Sequence, residues 1–419
     1  MKKFRAPTVI LATLLVAVGS SVTPSNAAVF SAAEEDCAPV EVRPGDFLVT
    51  TTSTLPGYPG LVAYLDVHAV YAKVRPDGCP TPARRAAILV HGAMTEATTS
   101  FDLRFGDYSV MKALARAGID AFAVNLLGYG YSTRFGLDDP CNASEASQRA
   151  LLQPNPLDPS SVPCGLRDLP ASRRFTNTNA AVDQLDAVVD KIRQDYDVDE
   201  VHLFGWSRGG IVIGAYASLH PEKVASLGFL ASGYKIVPTC STIPCRGALL
   251  LVRDRDAMFS EWTRQLDSAN CPGQRNPGIL EAIWNSVQAR DPIGASWGSS
   301  DPRTGGVQRA PSWDILGWNQ ARASTVTTPS LVMTGLLDLQ NNSDLEIELY
   351  NDLGSENKVL IKIACASHQA LWEGSNAPGW KGPHESIQQA LVEWITSGAF
   401  QGSPRGSFLI NPDGSISSE

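Results

Sequence analysis

Histidine is scarce in this chain: six occur in 419 residues, and they are not clustered with other metal-binding side chains. The motif H-E-x-x-H is absent, which argues against a catalytic metal. The eight cysteines include no C-x-x-C pair, so zinc-site and thioredoxin-like interpretations are weak. No G-x-G-x-x-G segment follows an early strand, and a dinucleotide-binding turn is therefore not expected. The sequence predicts a protein that uses no metal and no organic cofactor.

Long apolar runs are also missing, apart from a short one near the beginning of the chain. Residues 9–18 are mostly apolar, follow Lys2, Lys3 and Arg5, and precede small residues that end at Ala27. This order is typical of a secretory signal, and the run is too short to span a bilayer comfortably. An uncleaved anchor is the alternative. We expect residues 1–27 to be a signal peptide and the mature protein to be secreted, or periplasmic in a suitable host.

The charge balance is acidic, with a formal net charge of -9 at pH 7. An acidic surface disfavours nucleic acid and anionic membranes as partners. We therefore expect a small-molecule partner, no nucleic acid and no stable membrane insertion. The oligomeric state stays open.

Apolar, β-branched runs alternate with amphipathic segments along most of the chain. This alternation predicts an α/β fold, with a mostly parallel sheet covered by helices on both faces. The composition shifts to Trp, Pro, Gly and Arg at residues 234–325, which we interpret as an insertion. The predicted organisation is a loose N-terminal segment 28–44, a first core part 45–233, the insertion, a second core part 326–400 and a C-terminal tail 401–419. The predicted strands are 47–53, 61–74, 86–90, 119–126, 224–230, 330–334 and 359–364, and the predicted helices are 108–117, 179–196, 344–353 and 385–395.

The segment Gly205-Trp206-Ser207-Arg208-Gly209 fits the motif G-x-S-x-G. It follows an apolar run that ends at Phe204 and precedes another that begins at Ile211, a strand–turn–helix arrangement. Such a sharp turn strains the serine, and only small residues two positions before and after it avoid a clash. Ser207 would then lie exposed at a helix N-terminus, where free N–H groups and the helix dipole favour an oxyanion. An ordinary glycine-rich turn with an incidental serine is the alternative.

A serine nucleophile needs a histidine as base and an acid that orients this histidine. Where the serine lies on such a turn, the chain order is serine, acid, histidine. Asp338 follows the predicted strand 330–334, and His368 follows the next strand. Both lie just beyond strand C-terminal ends, where ligands bind in open α/β sheets. Asp344 is an alternative acid, and His384 is an alternative base that is better explained as a helix-start residue.

Over residues 45–400 the chain resembles the α/β-hydrolase superfamily, most closely a secreted serine esterase or lipase with a cap insertion. The resemblance lies in 89–94, 205–210, 335–338 and 367–373. It implies that Ser207 is the nucleophile, His368 the general base and then acid, and Asp338 the orienting acid. It also implies an oxyanion hole formed by the main-chain N–H groups of Ala93 and Arg208, with Met94 as the alternative to Ala93. Related families with an aspartate nucleophile attack epoxides or haloalkanes, and a serine here disfavours that chemistry.

The insertion follows the strand after the G-x-S-x-G turn, which is a usual place for a cap in this superfamily. Its tryptophans could line an acyl or aromatic pocket, or they could pack a small core of the cap itself. Both possibilities stay open. The run Arg253-Asp254-Arg255-Asp256 is interpreted as a solvated face. The tryptophans of the insertion are Trp262, Trp284, Trp297, Trp313 and Trp318.

Eight cysteines, all after the predicted signal, suggest disulfides in an exported chain. Sequence proximity favours Cys141–Cys164 and Cys240–Cys245, each of which would close a proline-rich loop. Cys37–Cys79 and Cys271–Cys365 would remain, and the last pair would tie the insertion to the catalytic face.

The leading functional hypothesis is a secreted serine hydrolase that cleaves a carboxylic ester, with an apolar or aromatic substrate, through an acyl-enzyme. The same residues could instead cleave an amide, a peptide or a lactone, and acidic residues of the insertion could then bind a free amine. A binding protein without catalytic activity is the third hypothesis.

Overall fold

The structure, a computed structural model, describes residues 41–52, 60–73, 84–151, 177–236, 248–266, 271, 273–299, 301, 303–314 and 317–419. All of these belong to one folded unit, Ala38–Glu419. The predicted signal peptide lies outside the described residues. In the described part of the chain, no helix combines the length and the apolar character needed to cross a membrane.

A large sheet forms the centre of the fold. The strands are β1 (Glu41–Thr52), β2 (Val62–Lys73), β3 (Arg85–Val90), β4 (Ile119–Val124), β5 (Val201–Trp206), β6 (Val224–Leu230), β7 (Leu250–Arg253), β8 (Gln308–Pro311), β9 (Ser330–Gly335), β10 (Lys358–Ile363), β11 (Gly406–Ile410) and β12 (Ile416–Ser418). Ten of these form one sheet in the order β1-β2-β4-β3-β5-β6-β9-β10-β11-β12. Neighbours from β4 to β11 run parallel, whereas β1, β2 and β12 pair antiparallel with their neighbours. The predicted α/β fold with a mostly parallel sheet is therefore confirmed.

Helices cover both faces of this sheet. They are α1 (Ala97–Phe101), α2 (Val110–Arg116), α3 (Glu145–Leu151), α4 (Thr178–Tyr196), α5 (Arg208–Ala217), α6 (Arg255–Leu266), α7 (Ile279–Arg290), α8 (Pro292–Ser296), α9 (Gln320–Ala323), α10 (Ser343–Asp352) and α11 (Pro383–Ser397). The longest, α4, begins where the Asn177 side chain accepts a hydrogen bond from the Ala180 N–H, and it ends at Asp197 in a left-handed conformation. Its buried stripe includes Leu185, Val188 and Ile192, the spacing of an amphipathic helix. Packing of such stripes gives the sheet an apolar layer on each face.

The two apolar layers meet through alternating side chains of the central strands. In β5, Phe204 belongs to one buried cluster and Leu203 to the other. Helices α2 and α11 contribute to the first cluster, and helices α4 and α5 contribute to the second. The C-terminal ends of β5, β9 and β10 are therefore held at one edge of a rigid sheet.

The sheet is wider than the sequence predicts. β1 begins at Glu41, within the segment 28–44 that was expected to be loose. Residues 401–419, which were expected to be a tail, instead contain β11 and β12, and β11 extends the sheet beside β10. β11 has only five residues, of which Phe408 and Ile410 are buried. An alternating pattern this short is hard to distinguish from an irregular tail in the sequence.

Between β6 and β9 the insertion adds its own small structure. β7 and β8 form a two-stranded antiparallel sheet, and α6 and α7 pack their apolar faces into the first buried cluster. Trp318, near the end of the insertion, packs instead against the core residue Phe229. The insertion is thus joined to the core by apolar packing at several places.

A disulfide also joins the insertion to the core. Cys271 is bonded to Cys365, 94 residues later, as predicted. Cys141 is disulfide-bonded too, to a residue outside the described part of the chain. The pairs Cys141–Cys164, Cys240–Cys245 and Cys37–Cys79 each involve residues outside that part and stay predictions.

Candidate active site

The turn that carries Ser207 is strained in the way the motif predicts. Ser207 has φ 56° and ψ −119° between β5 and α5, a conformation that side chains rarely adopt. A Cβ added to Gly205 would approach the backbone of Gly209 to 2.5 Å, and one added to Gly209 would approach the Val90 carbonyl oxygen to 1.9 Å. Neither position has room for a side chain. The two glycines therefore permit the turn that exposes the serine hydroxyl to the pocket.

Asp338, His368 and Ser207 are joined by two hydrogen bonds. His368 Nδ1 donates to Asp338 Oδ2 at 2.8 Å, and Ser207 Oγ donates to His368 Nε2 at 3.0 Å. Each residue follows the C-terminal end of a parallel strand of the sheet: Ser207 follows β5, Asp338 follows β9 and His368 follows β10, which is the neighbour of β9. All three side chains are buried or nearly so. The structure thus brings together the three residues that the sequence analysis selected.

Asp338 is itself fixed by the loop that follows β9. Its Oδ1 accepts hydrogen bonds from the main-chain N–H groups of Gln340 (2.8 Å) and Asn341 (3.0 Å). The alternative acid Asp344 is exposed in the first turn of α10. The alternative base His384 is buried at the start of α11, where its ring stacks on Tyr108 with centroids 4.0 Å apart. Neither alternative is bonded to Ser207.

Two main-chain N–H groups are available where an oxyanion would form. Ala93 lines the same pocket as Ser207, and Arg208 is the first residue of α5. Within the described residues, the N–H groups of Ala93 and Arg208 donate to no acceptor. The first N–H groups of a helix lack intrahelical partners and attract anions. Both predicted oxyanion donors are therefore without a partner in the described part of the chain, and the same holds there for the N–H of Met94.

The Arg208 side chain has a second role that the sequence analysis missed. Its guanidinium donates to the carbonyl oxygens of Gly92 (3.2 Å) and Ala93 (3.0 Å), and it also donates to the Tyr129 hydroxyl. The same guanidinium stacks on the Trp313 ring, 3.9 Å from its centroid. These hydrogen bonds hold the main chain of Gly92 and Ala93 in the pocket wall that also contains Ser207. A charged residue beside the serine in the motif is the only sequence signal for this role.

His91 connects the same loop to the end of β4. Its Nε2 accepts from the Leu126 N–H at 3.2 Å, and its Nδ1 donates to the Gly92 carbonyl at 2.8 Å. Burial, together with the nearby positive charge of Arg208, lowers the pKa of His91 to about 3. His91 is therefore a neutral residue that holds this loop in place.

The insertion contributes a residue that binds both the loop after Asp338 (the acid loop) and the loop around His368 (the histidine loop). Gln265, buried on α6, accepts hydrogen bonds through Oε1 from the N–H groups of His368 (3.1 Å) and Leu339 (3.2 Å). On the other side, Trp206 Nε1 donates to the His368 carbonyl at 2.9 Å. A polar residue within the apolar face of α6, between Trp262 and Leu266, is the sequence signal for Gln265. Gln265 of the insertion and Trp206 of β5 therefore both hold the main chain at His368, and Gln265 also holds the loop after Asp338.

A buried carboxyl connects the insertion to the loop around His368. Glu373 accepts hydrogen bonds from Trp262 Nε1 (2.7 Å), from the Ser367 N–H (2.9 Å) and from the Ser367 hydroxyl. Burial raises the pKa of Glu373 to about 7, although these donors and the charge of Asp338 also act on it. Glu373 thus ties the position of Trp262 to the histidine loop.

The pocket beside Ser207 is small, with a cavity volume of about 60 Å³, and it has an aromatic wall. Trp206, Phe259, Trp262 and Trp372 line it together with two methionines. The tryptophans of the insertion divide between the two expected roles, because Trp262 lines the pocket whereas Trp297 packs in a separate small cluster. The remaining three pack against core elements or against Arg208: Trp284, Trp313 and Trp318.

Arg253 also lines this pocket, which corrects the interpretation of residues 253–256 as a solvated face. It is the last residue of β7, and its partner across the small sheet is Gln308. Alternating charges in the sequence are typical of a surface segment. In the structure, β7 pairs with β8, and Arg253 at the end of β7 lines the wall of the active-site pocket.

The family model described as alpha/beta hydrolase fold matches residues 87–375. This match spans more than half of the chain and includes the residues joined at the site, so the protein belongs to the alpha/beta-hydrolase fold family. No curated protein sequence matches the chain.

Several solved structures share the fold. A monoacylglycerol lipase from Paleococcus ferrophilus is 16% identical, with 86% of this chain and 100% of that chain covered and a TM-score of 0.41. A serine hydrolase involved in carbazole degradation, the CarC enzyme, is 14% identical, with 84% and 99% covered and a TM-score of 0.47. Est1E from Butyrivibrio proteoclasticus, with ferulic acid bound, is 13% identical, with 80% and 94% covered and a TM-score of 0.39. Likenesses this distant carry no argument about substrate.

Proposed function

We propose that the protein is an exported serine hydrolase that cleaves a carboxylic ester through an acyl-enzyme. The observation that supports the proposal best is the pair of hydrogen bonds from Ser207 Oγ to His368 Nε2 and from His368 Nδ1 to Asp338. This arrangement lets an imidazole remove the serine proton while a carboxylate stabilises the resulting cation. Export rests on the sequence of residues 1–27 alone.

In the first half of the reaction, Ser207 Oγ attacks the ester carbonyl carbon while His368 Nε2 takes the hydroxyl proton. The negative charge moves to the carbonyl oxygen, which accepts hydrogen bonds from the N–H groups of Ala93 and Arg208. The intermediate then collapses, the bond to the alcohol oxygen breaks, and His368 donates its proton to that oxygen. The products of this half are a free alcohol and an acyl group on Ser207.

In the second half, water replaces the alcohol. His368 takes a proton from the water as its oxygen attacks the acyl carbon, and the same two N–H groups again stabilise the oxyanion. The bond to Ser207 Oγ breaks, and His368 returns the proton to the serine. The carboxylic acid leaves, and the starting enzyme is restored without any other reactant.

An amide or peptide substrate is the main alternative, since the same residues could cleave it. A peptidase that binds a free amine needs an acidic residue in the pocket. Among the described residues, no carboxylate side chain lines the pocket, and Arg253 lines it instead. In the insertion, Glu261 is paired with Arg264 and Asp291 with Arg309. The charge of the pocket therefore favours an ester substrate over an aminoacyl amide. It does not discriminate between an open-chain ester and a lactone.

The proposal is tested by intact mass after incubation with a fluorophosphonate, on the wild type and on Ser207→Ala. We expect one adduct on the wild type and none on the variant. Turnover of small aryl esters should fall by about four to six orders of magnitude in Ser207→Ala. No adduct on either protein, together with undetectable ester turnover, would favour a binding protein instead.

Matched substrates separate ester from amide cleavage. We expect an acyl ester to be hydrolysed faster than the aminoacyl anilide of comparable size, beyond the difference in their uncatalysed rates. A preference for the anilide would overturn the ester proposal while leaving the serine mechanism intact.

A further inference from the structure

Arg253 is held firmly at the edge of the active-site pocket. Its Nε donates to Gln308 Oε1 at 2.5 Å, and Gln308 Nε2 in turn donates to the Thr95 hydroxyl at 3.2 Å. Gln308 is buried, and Thr95 lines the same pocket. A chain of hydrogen bonds therefore fixes the guanidinium relative to the loop that contains Ala93.

Among the residues that the structure describes, Arg253 has no anionic partner. Within the described part of the chain, no carboxylate pairs with it and no acceptor bonds its two terminal nitrogens; Gln308 is its sole hydrogen-bond partner there. Arg309 of β8, whose partner across the small sheet is Val252 and whose side chain therefore lies on the opposite face of that sheet, differs: two carboxylates, Asp291 (2.6 Å) and Asp138 (2.9 Å), bind its guanidinium. The small sheet thus carries one arginine that carboxylates neutralise, Arg309, and one without a carboxylate partner among the described residues, Arg253.

The other buried arginine near the site does not share this property. Arg208 lies behind the oxyanion loop, where two carbonyl oxygens and the Tyr129 hydroxyl accept its hydrogen bonds. The guanidinium of Arg208 is thus satisfied by protein groups, and Arg208 is not among the described residues that line the pocket. Arg253, by contrast, belongs to the pocket wall together with Ser207 and His368.

A partly buried guanidinium without a counter-ion is unfavourable by itself. Burial lowers the pKa of Arg253 to about 10, so the group is still charged at neutral pH. A bidentate carboxylate would restore the lost solvation, since guanidinium–carboxylate pairs combine charge with two parallel hydrogen bonds. The rest of the protein is acidic, with a net charge of -9, so a lone cation in the pocket is not part of a general basic surface.

We propose that Arg253 binds a carboxylate carried by the substrate, so that the enzyme prefers esters with an apolar or aromatic body and a free carboxylate. This inference rests on the ester hydrolysis proposed above. The aromatic wall formed by Trp206, Trp262 and Trp372 contacts the body of the substrate, and the two free nitrogens of Arg253 contact its anionic end. The carboxylate can belong to the alcohol part or to the acyl part of the ester.

Two pairs of substrates show whether the carboxylate that Arg253 binds belongs to the alcohol part or to the acyl part of the ester. In the first pair, 4-acetoxybenzoate and its methyl ester differ in charge on the alcohol side. In the second pair, monoethyl adipate and diethyl adipate differ in charge on the acyl side. We expect the wild type to prefer the charged member of at least one pair, as the ratio of the two kcat/KM values.

Three variants test whether Arg253 causes this preference. Arg253→Gln should lower the ratio of charged to neutral kcat/KM by about tenfold to a hundredfold, the range for a hydrogen bond between charged groups. Arg253→Lys should keep part of the preference. Arg264→Gln removes an exposed positive charge from α6 and should leave the ratio unchanged. Fluorophosphonate labelling of each variant reports whether Ser207 and His368 are still correctly placed.

Equal loss of charged and neutral turnover in Arg253→Gln would overturn the proposal, since it would indicate a general role in the fold or the transition state. The absence of any preference in the wild type would overturn it as well.

A binding measurement keeps this test independent of turnover. Calorimetry on Ser207→Ala, with and without Arg253→Gln, compares the affinities of 4-acetoxybenzoate and its methyl ester. Tighter binding of the anion that disappears with Arg253 supports the carboxylate site even if no ester is turned over, whereas equal affinities reject it. Failure of ester hydrolysis and failure of the Arg253 site thus give different results.

Discussion

The sheet core and the insertion contribute to the site in different ways. The core supplies the reacting groups, because Ser207, Asp338 and His368 all follow the C-terminal ends of parallel strands in one sheet. The insertion supplies groups that position the reacting residues and line the pocket. Gln265 binds the loops that carry Asp338 and His368, and Arg253 lines the pocket. In the core, main-chain geometry sets the positions. In the insertion, side-chain contacts set them, and substitutions there should therefore have graded effects.

The largest effect is expected in the core, at the acid. Asp338→Asn should lower kcat on a small aryl ester by about a thousandfold to ten-thousandfold, because an amide cannot hold the required imidazole tautomer or stabilise its cation. Asp344→Asn, which alters the exposed alternative acid, is the matched control and should leave kcat unchanged. The reverse result would move the acid role to Asp344.

The next effect concerns the covalent link between the two regions. Replacing Cys271 and Cys365 together by serine should lower the free energy of unfolding by about 2–4 kcal/mol, because the disulfide closes a long loop in the unfolded chain. Denaturant unfolding followed by tryptophan fluorescence measures this change. An unchanged midpoint would mean that apolar packing alone holds the insertion on the core.

The third effect is a pH dependence at Glu373, where the insertion meets the histidine loop. Its pKa is about 7 when folded, against the ordinary value of 4.5, so the folded state retains a proton that the unfolded state loses. The stabilisation by the protonated form is complete below about pH 4.5 and is lost as the pH rises through about 7. Across this range the unfolding free energy of the wild type should therefore fall by about 3 kcal/mol relative to that of Glu373→Gln.

The control for this pH dependence is Glu356→Gln, which alters an exposed carboxyl outside the site. Its difference from the wild type should stay nearly constant over the same range. A constant difference for Glu373→Gln as well would show that the hydrogen bonds from Trp262 and Ser367 keep Glu373 ionised when folded.

The smallest effect is expected at Gln265. Gln265→Leu should lower kcat about tenfold with little change in KM, because the unbonded N–H groups of His368 and Leu339 allow both loops to shift. The pH profile of the remaining activity should also change if His368 is displaced. Arg264→Gln, one residue earlier on the exposed side of α6, should behave like the wild type. An unaltered kcat in Gln265→Leu would show that the core alone positions Asp338 and His368, without help from the insertion.

Prediction from the sequence worked best for buried, periodic segments. β6 was predicted within its observed bounds, and α4 and α10 began within one residue of their observed starts. It was least informative where segments are short or irregular. Examples are β11, which was expected to be part of a tail, and β7, whose Arg253 was interpreted as solvated.

The sequence by itself determined the order and identity of the reacting residues. Ser207 stands between two glycines, and Asp338 and His368 each follow an apolar strand. Parallel strands end at one edge of a sheet, so local patterns were sufficient to predict that these side chains meet. Only the tertiary structure decided which residues surround them. Gln265, Glu373 and Arg253 each act through at least one contact with a residue distant in the chain, and no local periodicity encodes such contacts.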